Sequence, residues 1–123
     1  MKICEKCGKI VEITKDTTSE LYCCNELMKD LKPNSVDAVI EKHKPVFEIN
    51  GNEIDVKVAE IAHPMIEKHY IEWISIKTNY GVYKKYLKPN DAPAASFLLS
   101  EKEKVESILA YCNLHGLWET KVI

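Results

Sequence analysis

No arginine occurs in the 123 residues; all seventeen basic side chains are lysine. Base-edge readout and bidentate phosphate recognition favour the planar guanidinium fork, so nucleic acid is not expected as a partner. The chain also has no stretch approaching the roughly eighteen consecutive apolar residues of a membrane span. Its start, MKICEKCGKI, lacks the apolar run of a secretory signal. No membrane association is expected, and a cytoplasmic location is. Internal repeats and low-complexity tracts are absent, and the net charge is only −2.

What is present is sulfur and imidazole: five Cys and four His. Cytosolic thiols seldom form structural disulfides, and an odd number makes a pure disulfide framework awkward, so metal binding is the better expectation. Hydrophobic residues make up 46% of the chain. That is enough for one modest domain, or a small domain with a metal-stapled appendage.

The cysteines are unevenly placed. Residues 1–36 hold Cys4, Cys7, Cys23 and Cys24, no His, and little apolar material to bury. A unit this small needs a metal, a disulfide or a partner to fold. Pro33-Asn34-Ser35 marks a linker. Beyond it, VFEINGNEIDVKV alternates Phe47, Ile49, Ile54, Val56 and Val58 around the hairpin signal Asn50-Gly51. YIEWISIKTNYGVYKKYL, SFLL and LWETKVI add further short strands, with turns about every ten residues. EKEKVESILAY fits a helical face, but its surroundings favour a loop followed by a strand, with EKEK at 101–104 as a solvated loop. The expected fold is therefore mainly β: a small metal-stapled unit at 1–36, then an antiparallel, immunoglobulin-like β-sandwich at 37–123.

Cys4-x-x-Cys7 and Cys23-Cys24 offer four sulfurs to one tetrahedral ion. The adjacent pair is unusual, because Cα atoms about 3.8 Å apart are expected to distort such a site. A structural zinc knob and a redox Cys-x-x-Cys are the alternatives, and spacing alone does not choose the metal. In the second segment His43, His63, His69 and His115 all fall at strand margins beside turn residues, as does Cys112, where a sandwich gathers its functional loops. A nucleophilic Cys112–His115 pair requires an oxyanion hole, for which there is no signal. Five strong nitrogen and sulfur donors exceed what tetrahedral zinc takes, whereas iron accepts five or six. Trp73 and Trp118 read as core or rim aromatics. A zinc ribbon on a β-sandwich, acting as an adaptor, is the rival from another class.

The strings EKHKPV (41–46), HPMIEKHYIEWI (63–74), LKPNDAPAASF (87–97) and YCNLHGLW (111–118) resemble desulfoferrodoxin, the two-iron class of superoxide reductase. CEKCG with LYCCNELM resembles that family's desulforedoxin-like iron domain. The match spans essentially the whole chain and uses every Cys and His. It implies an iron centre on Cys4, Cys7, Cys23 and Cys24 that relays or stores electrons, in a domain that mediates a homodimer. It also implies a second iron, ferrous, with His43, His63, His69 and His115 in a plane, Cys112 axial and one position open to superoxide. The reaction implied is one-electron reduction to hydrogen peroxide, with an outside donor such as rubredoxin. The resemblance also implies that Glu41 closes onto the oxidised iron and that Lys42 draws in superoxide and helps deliver protons. Elementary chemistry agrees with these roles. A thiolate pushes electron density through the metal, a lysine focuses an anion, and a carboxylate suits harder Fe(III).

Overall fold

The computed structural model describes all residues except Asp37, Val39 and Ile123, and for Glu41 the backbone only. The chain divides into two compact units, Met1–Lys32 and Pro33–Ile123. Among the described residues no helix is long and apolar enough to cross a membrane.

In the first unit, β1 (Lys2–Ile3) is flanked by β2 (Ile10–Val11) and β5 (Lys29–Asp30), while β3 (Tyr22–Cys23) and β4 (Glu26–Leu27) form a separate hairpin. These two-residue strands bury little, and Cys4 and Met28 are the buried apolar residues here. So small a core is marginal without a staple.

The second unit is an antiparallel β-sandwich, as expected. One sheet has the order β10 (Ala94–Leu98), β7 (Glu53–Val58), β6 (Pro45–Asn50). The other has β12 (Gly116–Lys121), β11 (Val105–Cys112), β8 (Ile71–Thr78), β9 (Val82–Tyr86). Central strands β8 and β11 are buried along most of their length, and Ile54, Val56, Val58, Ile71, Ile74, Ile76 and Ile108 fill the space between the sheets. EKEKVESILAY resolves into a turn and β11, because Ile108 and Ala110 pair with Ile76 and Ile74 of β8.

Four findings depart from the sequence reading. Phe47 and Ile49 oppose the buried Val56 and Ile54 across β6–β7, yet both are exposed, since β6 is an edge strand. Glu103, expected in a solvated loop, is buried and accepts hydrogen bonds from Thr78 Oγ1 (2.6 Å), Tyr83 Oη (2.7 Å) and Ser100 N (2.9 Å). The EKHK stretch holds one helical turn, α1 (Ile40–His43), which no periodicity announces. The expected linker also belongs partly to the sandwich. Asn34 accepts from Glu119 N and donates to the Leu117 and Glu119 carbonyls, so residues before 37 already extend β12.

The register puts five strand margins at one end of the sandwich. Pro45 at the start of β6 faces Val58 at the end of β7. Cys112 at the end of β11 faces Ile71 at the start of β8 and Gly116 at the start of β12. The segments before β6, between β7 and β8, and between β11 and β12 therefore emerge together.

Candidate metal centres

The first cluster lies in the small unit, where the ligand atoms of Cys4, Cys7, Cys23 and Cys24 fall within 4.8 Å of one another. Cys4 and Cys7 sit on a tight loop closed by Gly8 N donating to Cys4 O (2.8 Å), with Gly8 at φ +83°. The adjacent pair is accommodated by the backbone. Cys23 pairs with Glu26 across β3–β4, leaving Cys24-Asn25 as a two-residue turn, and both turn residues have positive φ (53° and 60°). Positive φ at both central positions is the type I′ geometry of tight hairpins. The two adjacent sulfurs then lie 3.9 Å apart. The four thiols compete for charge: backbone N–H of Cys7 draws Cys4 down to about 7, while hydrogen bonding to Cys7 pushes Cys24 up to about 12. Four thiolates at this spacing need a cation among them, and a soft tetrahedral set of four sulfurs suits iron or zinc.

The second cluster occupies the end of the sandwich just described. His43 ends α1, His63 follows β7 with its N–H bonded to Val58 O (3.1 Å), and His69 closes a bridge to Ile66 ahead of β8. Cys112 and His115 bracket the β11–β12 turn, which Gly116 completes at φ +80°. The imidazoles follow one another in a ring. Centroid separations are 4.9 Å for His43–His63, 4.7 Å for His63–His69, 5.1 Å for His69–His115 and 4.6 Å for His115–His43. Each neighbouring pair is edge-to-face, and the His43–His69 diagonal, 6.5 Å, is longer than any side. Donor atoms of His43, His69, Cys112 and His115 lie within 4.8 Å of one another. His63 falls outside that tighter set but completes the ring.

The inward nitrogens are identified by their partners. His43 Nε2 faces His115 Nδ1 at 2.9 Å, and His115 Nδ1 lies 3.9 Å from Cys112 Sγ. His63 Nδ1–H is satisfied by Pro64 O (2.7 Å), leaving its Nε2 buried with no hydrogen-bond partner, as is His69 Nε2. Buried polar atoms are normally paired, so two buried imidazole nitrogens with no hydrogen-bond partner beside a thiol have the lone pairs and placement that metal ligands need. Burial pushes His63 down to about 4 and lowers His69, keeping both neutral and ligand-ready at neutral pH. Burial raises the Cys112 thiol, opposed by backbone N–H groups of His115 and Leu114. Three Nε2 donors, one Nδ1 and one sulfur make five donors, a set that suits iron rather than closed tetrahedral zinc.

Trp118 is tied to this cluster: its indole stacks on His43 (5.1 Å, 21°) and its Nε1–H donates to His115 O (3.0 Å). Lys42 is exposed, one residue before the buried His43. The Glu41 side chain lies outside the described residues.

Comparison with known proteins agrees with this geometry. The Desulfoferrodoxin family profile matches residues 35–121, and the profile for the Desulfoferrodoxin N-terminal domain matches residues 3–31. Desulfoferrodoxin of Syntrophotalea carbinolica is 47% identical over 119 residues, covering 96% of this chain and 92% of the relative. That of Desulfarculus baarsii is 46% identical over 118 residues, with the same coverage. The crystal structure of the superoxide reductase from Treponema pallidum superposes with a TM-score of 0.79 at 38% identity, over 89% of this chain and 91% of that one. The chain, with its four-sulfur cluster and its ring of imidazoles about a thiol, belongs to the desulfoferrodoxin family.

Proposed function

We propose that the protein is a superoxide reductase that carries two irons per chain, one on Cys4, Cys7, Cys23 and Cys24 and one on His43, His63, His69, His115 and Cys112. The observation that carries this reading is the ring of four imidazoles around one buried thiol, with two ring nitrogens left unpartnered. Iron held there would supply one electron, which with two protons converts one superoxide into one hydrogen peroxide. The imidazoles contribute neutral donors, so the charge at the centre is offset chiefly by the Cys112 thiolate. Backbone N–H groups of Leu114 and His115 temper that thiolate and hold it in place. Lys42 sets a positive charge beside the site on a slightly acidic protein, attracting an anion and offering a proton source nearby. Glu41, at the preceding position, would offer a carboxylate, a hard oxygen donor suited to the oxidised metal.

In this reading residues 1–36 form the electron-storing domain and residues 37–123 the catalytic one. An external donor such as rubredoxin restores the electron, the small domain joins two copies in a homodimer, and the protein works in the cytoplasm. Metal analysis and stoichiometry test the central claim. The purified full chain is expected to be coloured, with two irons per chain, and the reduced protein to form one peroxide per superoxide without evolving dioxygen. A colourless zinc protein, or dioxygen release with half that peroxide, overturns it.

A further inference from the structure

Asn113 stands between Cys112 and His115 in the β11–β12 turn. Its backbone N–H donates to Tyr70 O (3.3 Å), its Oδ1 accepts from Tyr70 N (3.0 Å), and its Nδ2 donates to Lys68 O (3.0 Å). The two side-chain bonds land on the residues either side of His69. Tyr70 N only donates and Lys68 O only accepts, so chemistry fixes the amide's orientation.

The same device closes the other end of this strand pair. Past the Thr78↔Val105 pairing, Asn79 N donates to Lys104 O (3.1 Å), its Oδ1 accepts from Lys104 N (2.8 Å), and its Nδ2 donates to Lys102 O (3.2 Å). There the bracketed residue is Glu103, whose side chain is turned inward and buried. At each end the backbone leaves the ladder for a turn, and the amide side chain takes over the pairing that the main chain gives up. The partner strand is then held one residue longer, with the side chain between its two anchored neighbours directed into the protein.

We propose that Asn113 is a positioning residue of the second centre: it clamps the His69 segment to the turn carrying Cys112 and His115, and so sets His69 as a ligand. The inference rests on the reading that His69, Cys112 and His115 hold one metal. An Asp at 113 keeps the acceptor but places a carboxylate against the Lys68 carbonyl, and Ala keeps neither bond.

The test uses Co(II) bound anaerobically to the metal-free full chain and withdrawn by a competing chelator. The imidazole-rich, one-thiolate centre is followed by visible bands separate from those of the four-thiolate centre. Asn113→Ala is expected to weaken the second centre about 10- to 100-fold, as loss of an outer-shell partner does. Asn113→Asp, close to Asn in size and shape, should lose affinity in the same direction, and Asn79→Ala should leave it unchanged. In a His69→Ala background the Asn113→Ala effect should vanish, whereas in a His63→Ala background it should persist. A general structural defect instead lowers affinity equally in all backgrounds, and that result overturns the proposal, as does unaltered binding by Asn113→Ala and Asn113→Asp. If His69→Ala itself binds like the unmutated chain, the shared-centre reading fails along with it. If His69→Ala weakens binding and the Asn113 variants do not, only the clamp fails.

Discussion

Lys42 and Glu41 are neighbours of opposite charge on the helical turn that delivers His43, and their substitutions are expected to separate in kinetics. Lys42→Ala should slow the second-order encounter with superoxide about 10-fold and flatten its dependence on ionic strength, because steering by an exposed charge fades with salt. Glu41→Ala removes a negative charge, so the encounter should be unchanged or slightly faster, and its effect should appear in the spectrum of the oxidised resting protein. Pulse radiolysis across a salt series checks both; equal slowing with unchanged salt dependence contradicts the division of roles. Cys112→Ser exchanges a soft donor for a harder, weaker one at a fully buried position. The thiolate-to-iron band should disappear and turnover fall by orders of magnitude, read by optical titration and peroxide assay on one sample.

At the scale of elements, turn geometry does most of the chemistry-bearing work. The left-handed Cys24-Asn25 turn lets two consecutive cysteines share one site, and the β11–β12 turn places Cys112 and His115 three residues apart without a helix. At the far end of β8–β11, Glu103 anchors Thr78, Tyr83 and the Ser100 N–H, and these bonds, first that from Thr78, hold its carboxyl below the usual carboxylate range. The folded state thus binds this proton less readily than the unfolded chain, whose carboxyl titrates near about 4.3. The carboxylate's contribution is present above that value and is lost as pH falls through the lower, folded one. Glu103→Gln should lower the melting temperature at neutral pH, with the gap from the unmutated protein closing as pH falls below about 4. Melting curves from about pH 7 to about pH 3 span that window; a constant gap shows that the ionised carboxylate contributes nothing.

At the scale of the whole molecule, the two units rest on different sources of stability. The sandwich carries its own core of Ile, Val and Phe, whereas Met1–Lys32 buries little beyond Cys4 and Met28 and leans on its sulfur cluster. Cys23→Ser should therefore remove or weaken the first iron and its bands while superoxide reduction by the ferrous second centre survives. Metal content and peroxide yield on the same preparation decide this, and joint loss of both irons shows the units to be energetically coupled.

The sequence alone determined that a small sulfur-rich unit precedes a β-sandwich, because the spacing of Cys4, Cys7, Cys23 and Cys24 and the period-two alternation after residue 45 are local properties. It also carried the family resemblance, since EKH, HPMIEKHYIEW and CNLHG are contiguous strings. Only the tertiary structure decided which ends of which strands coincide. Register is set by cross-strand burial; it brings the segments that carry His43, His63, His69, Cys112 and His115 to one end of the sandwich, where loop contacts gather four imidazoles around one thiol and leave two ring nitrogens unpartnered. The Thr78–Glu103 bond and the two asparagine clamps were illegible for the same reason: each joins residues at least 23 positions apart, and a side chain that replaces a backbone partner leaves no periodic trace in the sequence.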